Sequence, residues 1–364
     1  MKKSVITLAL VLVIALLTGC AGTPVVYYSD CTCPTGAHTE TTPVETTTPV
    51  ETTEPAPVVE GAVKTGVAIV ASALESKSAG DADGEAKYDV SVVAVTVDDN
   101  GVIQSCIIDS IGTSVLFDVN GAIVSDLTAE IPTKNELGDA YNMKLYGGAV
   151  AEWYEQAAAL ASFACGKTVE ELRAGAVDET GHAVDADLAT TATIYLGGYV
   201  SAIENAVFNA EHLGAQAGDE LKLAISSSVD GSKNADAENA GLCELYTTAV
   251  ALTMKDGVIT SAQIDAVQGK VNFDVTGTIT GGTDGIFATK NMLGEQYGMK
   301  AWGGAIAEWN EQAASFAAYI TGKTAAEVAG IAITETTAPA EADLAASVTI
   351  SIGGFQALIA KAAQ

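Results

Sequence analysis

Basic residues are scarce in this sequence. Its 364 residues include 17 lysines and arginines against 46 aspartates and glutamates, which gives a formal net charge of -29 at pH 7. Arg173 is the single arginine, and the lysines are dispersed. Binding to nucleic acid needs clustered Lys and Arg that displace counterions from phosphates, and binding to anionic lipid headgroups needs the same. The composition therefore excludes nucleic acid and bare anionic headgroups as direct partners.

Histidine and cysteine are also few. The three histidines are far apart, and the six cysteines lack the ligand spacing of zinc sites and the C-x-x-C-H of haem attachment. The sequence contains neither a Ser-His-Asp arrangement nor a phosphate-binding P-loop. We therefore predict no metal site and no catalytic residues, and we expect Cys106 and Cys165 to pack as small apolar side chains.

A long apolar run is missing except at the N-terminus. Lys2 and Lys3 precede an uncharged run from Val5 to Leu17, and L-T-G-C follows, ending at Cys20. The run is shorter than the roughly 20 residues of a membrane span, and its order is that of a secretory signal. L-T-G-C resembles the lipobox of bacterial lipoproteins, which implies a signal peptide over 1–19 and acylation of Cys20. Lipid would then hold the protein at the outer face of a membrane.

The next segment is poor in large apolar residues. Thr39 to Glu60 reads TETTPVETTTPVETTEPAPVVE, in which PVETT occurs twice. Such a composition cannot bury enough surface to fold, and its prolines keep it extended at about 3.1 Å per residue. We predict that 20–62 forms an extended tether, with a reach on the order of 100 Å between the lipid and the first folded domain.

The remainder is an internal repeat. An offset of 156 residues aligns the two halves without a gap from about Tyr88 to Thr193, and TKNELGDAYNMK…EWYEQ…GKT corresponds to TKNMLGEQYGMK…EWNEQ…GKT. Self-similarity at this length identifies two copies of one structural unit. We therefore predict repeat domains over 63–214 and 215–364.

Hydrophobic patterning gives the elements of each copy. Val90 to Val97 alternates and is β-branched, the turn Asp98 to Gly101 follows, and Val102 to Asp109 predicts the returning strand. Ala149 to Ala164 predicts a helix that ends at Gly166.

Thr168 and Thr324 each open a capping box and a short helix. We predict a late strand over Ala192 to Leu196 and over Val348 to Ile352, followed by a glycine pair and a final helix. The fold class is α+β, a small sheet with packed helices in each copy. A parallel doubly wound fold would need more crossover helices than each copy contains.

One stretch of the first copy resembles a cofactor motif. Asp187-Leu-Ala-Thr190-Thr191-Ala192-Thr193 is similar to the Asp-x-x-(Ser/Thr)-Gly-Ala-Thr motif of the FMN-binding domain family, found in extracytoplasmic subunits of sodium- or proton-linked electron-transfer complexes. In that family a separate flavin transferase esterifies the last threonine with the FMN phosphate. The resemblance implies that Asp187 is the motif aspartate, Thr190 the hydroxyl position, Ala192 the alanine and Thr193 the acceptor, while Thr191 replaces the glycine.

The second copy is less similar to the motif and keeps only Asp343 and the acceptor position, Thr349. The TKNELGDAYNMK…EWYEQ…GKT block also resembles surface lipoproteins of extracellular electron transfer in single-membrane bacteria. The resemblance implies a membrane-anchored carrier with covalent FMN on one or both repeats. A membrane electron donor, an extracellular acceptor and a flavin transferase would be its partners.

A bound flavin needs a flat apolar slot for its ring and donors for its phosphate. Candidate ring neighbours are Trp153, Trp309, Tyr141, Tyr297 and Trp302. Candidate donors are Lys134, Lys144, Lys167, Lys290, Lys300 and Lys323. Simpler interpretations stay open: the tryptophans as core residues, the lysines as solvated or ion-paired, and Thr193 as an ordinary strand residue. The alternative function is a non-redox envelope lipoprotein whose repeats bind a partner protein or ligand.

Overall fold

The computed structural model describes residues 61–364. The predicted signal peptide, the lipidation site Cys20 and the tether up to residue 60 lie outside the described residues. Over residues 61–364, no helix combines the length and the apolar character needed to cross a membrane.

A long antiparallel hairpin forms the centre of the first repeat. Strand β1 (Lys64–Ser72) pairs with β2 (Gly84–Val97), and β2 forms the hairpin with β3 (Ile103–Phe117). At the β2–β3 turn, the Asp98 carboxylate accepts hydrogen bonds from the N–H groups of Asn100 and Val102, both at 2.9 Å. Gly101 adopts φ +80°, which glycine tolerates without a Cβ clash. The predicted hairpin is confirmed, and its strands are longer than the pattern indicated.

Six α-helices and one short 3-10 helix (Gly138–Tyr141) follow in the first repeat, the α-helices being α1 (Lys134–Leu137), α2 (Met143–Gly147), α3 (Trp153–Ala164), α4 (Val169–Ala176), α5 (Ala186–Thr191) and α6 (Gly197–Phe208). The capping box at the start of α4 is present as predicted, with Thr168 and Glu171 exchanging hydrogen bonds. Helix α3 begins at Trp153, later than predicted, because Glu152 and Glu155 form a capping box there.

The second repeat has strands β4 (Glu220–Ser228), β5 (Gly241–Lys255), β6 (Val258–Phe273), β7 (Ile279–Gly281) and β8 (Ile286–Phe287). Its helices are α7 (Lys290–Leu293), α8 (Met299–Gly303), α9 (Trp309–Ile320), α10 (Ala325–Ala329), α11 (Ala342–Ala345) and α12 (Gly353–Ala362). The two sheets have the orders β3-β2-β1-β8 and β4-β5-β6-β7, and the strand pairs are antiparallel. The α+β class is thereby confirmed.

The predicted late strand is wrong in both repeats. Residues 192–196 form a loop between α5 and α6, and residues 348–352 form the equivalent loop between α11 and α12. The N–H groups of Thr193 and Ile194 donate to the side chain of Gln156 instead of to a neighbouring strand. Tertiary hydrogen bonding thus overrides the strand propensity of the local sequence. We call these two segments the acceptor loops.

The offset of 156 residues does not hold along the whole hairpin. Gly84 pairs with Phe117 in the first repeat, and Gly241 pairs with Phe273 in the second. The offset is therefore 157 on the first hairpin strand (84 to 241) and 156 on the second (117 to 273), because the second hairpin turn is one residue shorter. An offset of 156 would pair Cys243 with Lys87, whereas its structural equivalent is Ala86.

Each sheet has a helix-covered face and a face that meets the other sheet. Val93, Val95 and Val97 point to the helices of the first repeat, whereas the alternate residues of β2 join a core shared with β4, β5 and β6. In that shared core the rings of Phe117 and Phe273 stack with centroids 4.2 Å apart and planes 11° from parallel. The order of layers is helices, sheet, sheet, helices.

The two repeats meet through equivalent contacts. Ala79 N–H donates to the Gly277 carbonyl and Ala235 N–H to the Gly121 carbonyl, both at 2.8 Å. Exchanging the repeats converts one hydrogen bond into the other, which indicates an approximate twofold axis between them. Strand β8 breaks this symmetry, because its Phe287 pairs with β1 of the first repeat.

Candidate functional site

The two threonines predicted to accept FMN lie exposed in the acceptor loops. Thr193 N–H donates to Gln156 Oε1 at 2.7 Å, and Thr349 N–H donates to Gln312 Oε1 at the same distance. The hydroxyl groups of Thr193 and Thr349 donate to the same oxygens, at 3.4 Å and 3.1 Å. Both repeats therefore fix the backbone of the acceptor position and leave its side chain at the surface.

Each glutamine connects two loops. Gln312 is fully buried, and its Nε2 donates to the Ala307 carbonyl at 2.8 Å while its Oε1 accepts from Thr349 and Ile350. Gln156 makes the same contacts in the first repeat, with the Ala151 carbonyl at 2.8 Å. One amide therefore holds the segment before α9 directly beside the acceptor loop. We call each of these arrangements a glutamine clamp.

The other motif residues occupy different environments. Asp187, Thr190 and Asp343 are exposed on the short helices before the acceptor loops, and Thr190 Oγ1 donates to the Asp187 carbonyl at 2.7 Å. Ala192 is buried at 1% exposure and anchors its loop.

Replacing the motif glycine causes no backbone strain here. Within residues 61–364, the non-glycine residues with positive φ are Asn142, Asp256 and Thr337. Thr191 ends α5 in a helical conformation, and its hydroxyl donates to the Leu188 carbonyl at 3.1 Å. Glycine's conformational freedom is therefore not needed at this position.

Trp153 and Trp309 lie in the core, which is the alternative that the sequence left open. They are 2% and 4% exposed and pack beneath the helices of their repeats. Lys290 Nζ lies 4.6–4.8 Å from the ring centroids of Tyr246, Tyr297 and Trp309 and donates to Tyr246 Oη at 2.7 Å. The ammonium group thus covers a tryptophan face that a flavin ring would need.

We call each of the lysines Lys134 and Lys290, together with the aromatic rings around it, an aromatic cage, and the cage of the first repeat is more open than that of the second. Lys134 Nζ lies 5.3 Å and 5.1 Å from the centroids of Tyr141 and Trp153. With the offset of 157, exposed Asp89 takes the position of Tyr246. Burial lowers the pKa of Lys134 while Asp89 opposes the shift, whereas burial lowers the pKa of Lys290 to about 8. The structure therefore places Lys134 and Lys290 within the aromatic cages.

Lys144 and Lys300 lie at the surface, on the one-turn helices α2 and α8. Their side chains are about half exposed, with Nζ 3.9 Å from Glu155 Oε2 and 4.0 Å from Glu311 Oε2. Ion pairs this exposed contribute little to stability. Both lysines are thus available to an anionic group at the surface.

Lys167 and Lys323 lie beyond the opposite ends of α3 and α9. Lys167 Nζ donates to the Phe163 carbonyl at 2.6 Å and lies over the Phe163 ring, and Lys323 lies over Tyr319. At 1.5 Å per residue, Lys167 is about 16 Å along the helix direction from Gln156. These two lysines are therefore not part of the acceptor-loop site.

Sequence reasoning missed an aromatic residue in the first repeat. Tyr146 is 84% exposed at the end of α2, and its equivalent Trp302 is 91% exposed at the end of α8. A glycine pair follows each, with φ +62° at Gly148 and +63° at Gly304. The signal was available in the sequence, because YGG and WGG occupy matching positions.

A buried carboxylate fixes the start of α7. Asp265 is 1% exposed and accepts hydrogen bonds from the N–H groups of Ala266 at 2.7 Å and Asn291 at 3.1 Å. Burial raises the pKa of Asp265 to about 6 from its ordinary 3.8, despite hydrogen bonds that lower it. Asp109 has the equivalent position and a pKa raised by the same cause.

This burial predicts a pH-dependent stability. The pKa of Asp265 is about 6 in the folded protein and 3.8 in the unfolded chain, so protonation of this carboxyl group favours the folded state. The resulting stabilisation is complete below pH 3.8 and is lost as the pH rises through about 6. Relative to Asp265→Asn, the wild-type free energy of unfolding should fall by about 2 kcal/mol between about pH 4.5 and about pH 7. Urea titrations of both proteins at the two pH values measure this difference, and a constant difference would contradict the prediction.

No group of metal-ligating side chains occurs among residues 61–364. Cys106 and Cys165 pack against the core of the first repeat, as expected, and burial raises the pKa of both thiols, which keeps them unreactive.

A groove of about 300 Å³ lies beside β3, and neither acceptor threonine lines it. Its lining residues are Gly112, Thr113, Ser114, Ser125, Asp126, Ala129, Glu130, Ile131, Pro132, Leu137 and Val229. None of the predicted cofactor-binding residues lines it.

Comparison with known proteins gives no match. No protein-family model, curated protein or solved structure matches the chain.

Proposed function

We propose that the protein is a lipid-anchored electron carrier at the outer face of the cell membrane, with FMN attached covalently to Thr193 and Thr349. The observation that carries the proposal is the shared geometry of the two repeats. Each presents an exposed threonine in a loop clamped by a buried glutamine, and an exposed aromatic residue lies five residues before the carbonyl that the same glutamine binds. A transferase needs such an accessible hydroxyl, and a flavin ring needs a flat apolar neighbour.

The surroundings of the threonines fit a phosphate ester. Helices α6 and α12 begin four residues after Thr193 and Thr349, each with a glycine pair. The first N–H groups of a helix lack intrahelical partners and favour anions, and in α6 the first of them, that of Gly197, already donates to the Gly181 carbonyl at 3.2 Å, which leaves the following ones. Lys144 and Lys300 add positive charge on the neighbouring segment of a strongly acidic chain.

The chain itself supplies position and electrostatics. FMN, when bound, supplies the electron-transfer chemistry. The glutamine clamps fix the attachment point, and the surface lysines offset the charge of the phosphate. The tether to lipid on Cys20 would raise the effective concentration of the carrier near a membrane donor while leaving it free to reach an extracellular acceptor.

Intact mass together with in-gel flavin fluorescence tests the proposal. Protein exported by a host that contains a flavin transferase should carry one FMN ester per acceptor threonine. Thr193→Ala and Thr349→Ala should each remove one ester, and the double variant should be colourless. Thr191→Ala, a hydroxyl deletion two residues from Thr193, is the control and should keep both. A wild-type protein of unmodified mass would overturn the proposal.

The alternative is a non-redox lipoprotein that binds a ligand or partner protein. The groove beside β3 favours it, because its Val229 comes from the second repeat and the site thus joins both. Unmodified wild-type mass would make this alternative the better account.

A further inference from the structure

We infer that Tyr146 and Trp302 stack on the isoalloxazine ring of the FMN carried by the same repeat and shield it from solvent. This inference rests on the proposed function and assigns the ring contact. It replaces Trp153 and Trp309 as the ring neighbours, since their faces lie in the core beneath Lys134 and Lys290.

The first argument is exposure at matched positions. Tyr146 and Trp302 are almost fully exposed, although aromatic side chains gain most from burial. Leu145 and Val150 are 70% and 58% exposed in the first repeat, and Ile306 is 54% exposed in the second. The same short segment thus presents an apolar surface in both copies, which is typical of a surface that is covered by a ligand.

The second argument is proximity to the acceptor threonine. Trp302 is five residues before Ala307, whose carbonyl accepts a hydrogen bond from Gln312 at 2.8 Å. The Oε1 atom of the same glutamine accepts a hydrogen bond from the Thr349 N–H at 2.7 Å. The segment that carries Trp302 and the loop that carries Thr349 are therefore joined across a single side-chain amide. Gln156 joins the segment of Tyr146 to the loop of Thr193 in the same way.

The third argument is the seating of the indole ring. A Cβ placed on Gly298 would lie 2.4 Å from Trp302 Cδ1, so the ring rests against this glycine. The side chain is nevertheless 91% exposed, which leaves the rest of the ring surface open to solvent. A flat ring supported on one side offers its other side for offset stacking.

Stacking has an optical consequence that is independent of redox activity. An excited flavin takes one electron from an adjacent tyrosine or tryptophan ring and returns it on recombination, so fluorescence is lost with no net oxidation or reduction. An unstacked flavin ester at the surface would instead fluoresce strongly. The emission per attached flavin therefore reports the ring contact.

The test uses exported, flavin-loaded protein with one acceptor at a time. In the Thr193→Ala background only Thr349 is loaded, and Trp302→Ala should raise the emission per flavin severalfold and change the visible circular dichroism. In the Thr349→Ala background, Tyr146→Ala should do the same for Thr193. Trp302→Phe should keep the visible circular dichroism of the wild type, because it retains a flat ring. Emission is normalised to flavin absorbance, so a change in loading does not affect the comparison.

Phe208→Ala is the matched control, because Phe208 is an aromatic residue 87% exposed at the far end of α6. It should leave the emission and the circular dichroism unchanged. FMN present by mass with spectra unaffected by Trp302→Ala and Tyr146→Ala would overturn the stacking inference while leaving the proposed function intact. A wild-type mass without FMN would overturn both.

Discussion

Gln312→Ala is expected to lower the free energy of unfolding by about 3–4 kcal/mol, because a buried polar group without its partner costs about 1–3 kcal/mol. The Gln312 side chain is fully buried and satisfies three backbone groups, namely the N–H groups of Thr349 and Ile350 and the carbonyl of Ala307. Alanine would leave all three backbone groups without their side-chain partner, and only a group that water reaches would regain a hydrogen bond. Gln156→Ala should give a similar loss in the first repeat, which provides an internal replicate.

Urea unfolding monitored by circular dichroism measures this loss. Gln312→Glu keeps an acceptor for the acceptor loop but places a buried carboxylate oxygen against the Ala307 carbonyl oxygen, so at neutral pH we expect a loss at least as large as that of Gln312→Ala. Gln104→Ala serves as the control, since Gln104 is exposed on β3, and should change stability by no more than about 0.5 kcal/mol. A loss below about 1 kcal/mol for Gln312→Ala would contradict the importance of the clamp.

Phe273→Ala is expected to cost about 3–5 kcal/mol and to destabilise both repeats together. Phe273 is fully buried and stacks on Phe117 of the other repeat, within a core to which both sheets contribute. Removing the ring leaves a cavity between the sheets. Because that cavity borders both repeats, neither can retain its full stability.

Trp153 provides a reporter for the repeat that does not carry the substitution. In a Trp302→Phe, Trp309→Phe background, Trp153 is the remaining tryptophan of the chain, and its emission follows the first repeat. We expect this emission and the far-ultraviolet circular dichroism to report one midpoint, which shifts to lower urea with Phe273→Ala. Phe208→Ala should not shift it, since Phe208 is exposed. A Trp153 midpoint that stays constant while the circular dichroism midpoint falls would show that the repeats unfold separately.

The sequence by itself determined those features that depend on neighbouring residues. The hairpin around Asp98, the capping box at Thr168 and the helix after the glycine pair at Gly197 all form as predicted. In each, the side chain and the backbone groups that it satisfies lie within a few residues of one another, so the local pattern contains the whole interaction. The internal repeat likewise needs no tertiary information.

Only the tertiary structure decided the conformation of the acceptor loops and the environment of the aromatic residues. Thr193 has strand propensity, but Gln156, 37 residues earlier in the chain, accepts hydrogen bonds from the N–H groups of Thr193 and Ile194. Trp153 and Tyr146 are both aromatic residues near a helix end, yet one is enclosed and the other almost fully exposed. Burial of this kind depends on which distant elements pack on a residue, and periodicity within one segment does not encode it.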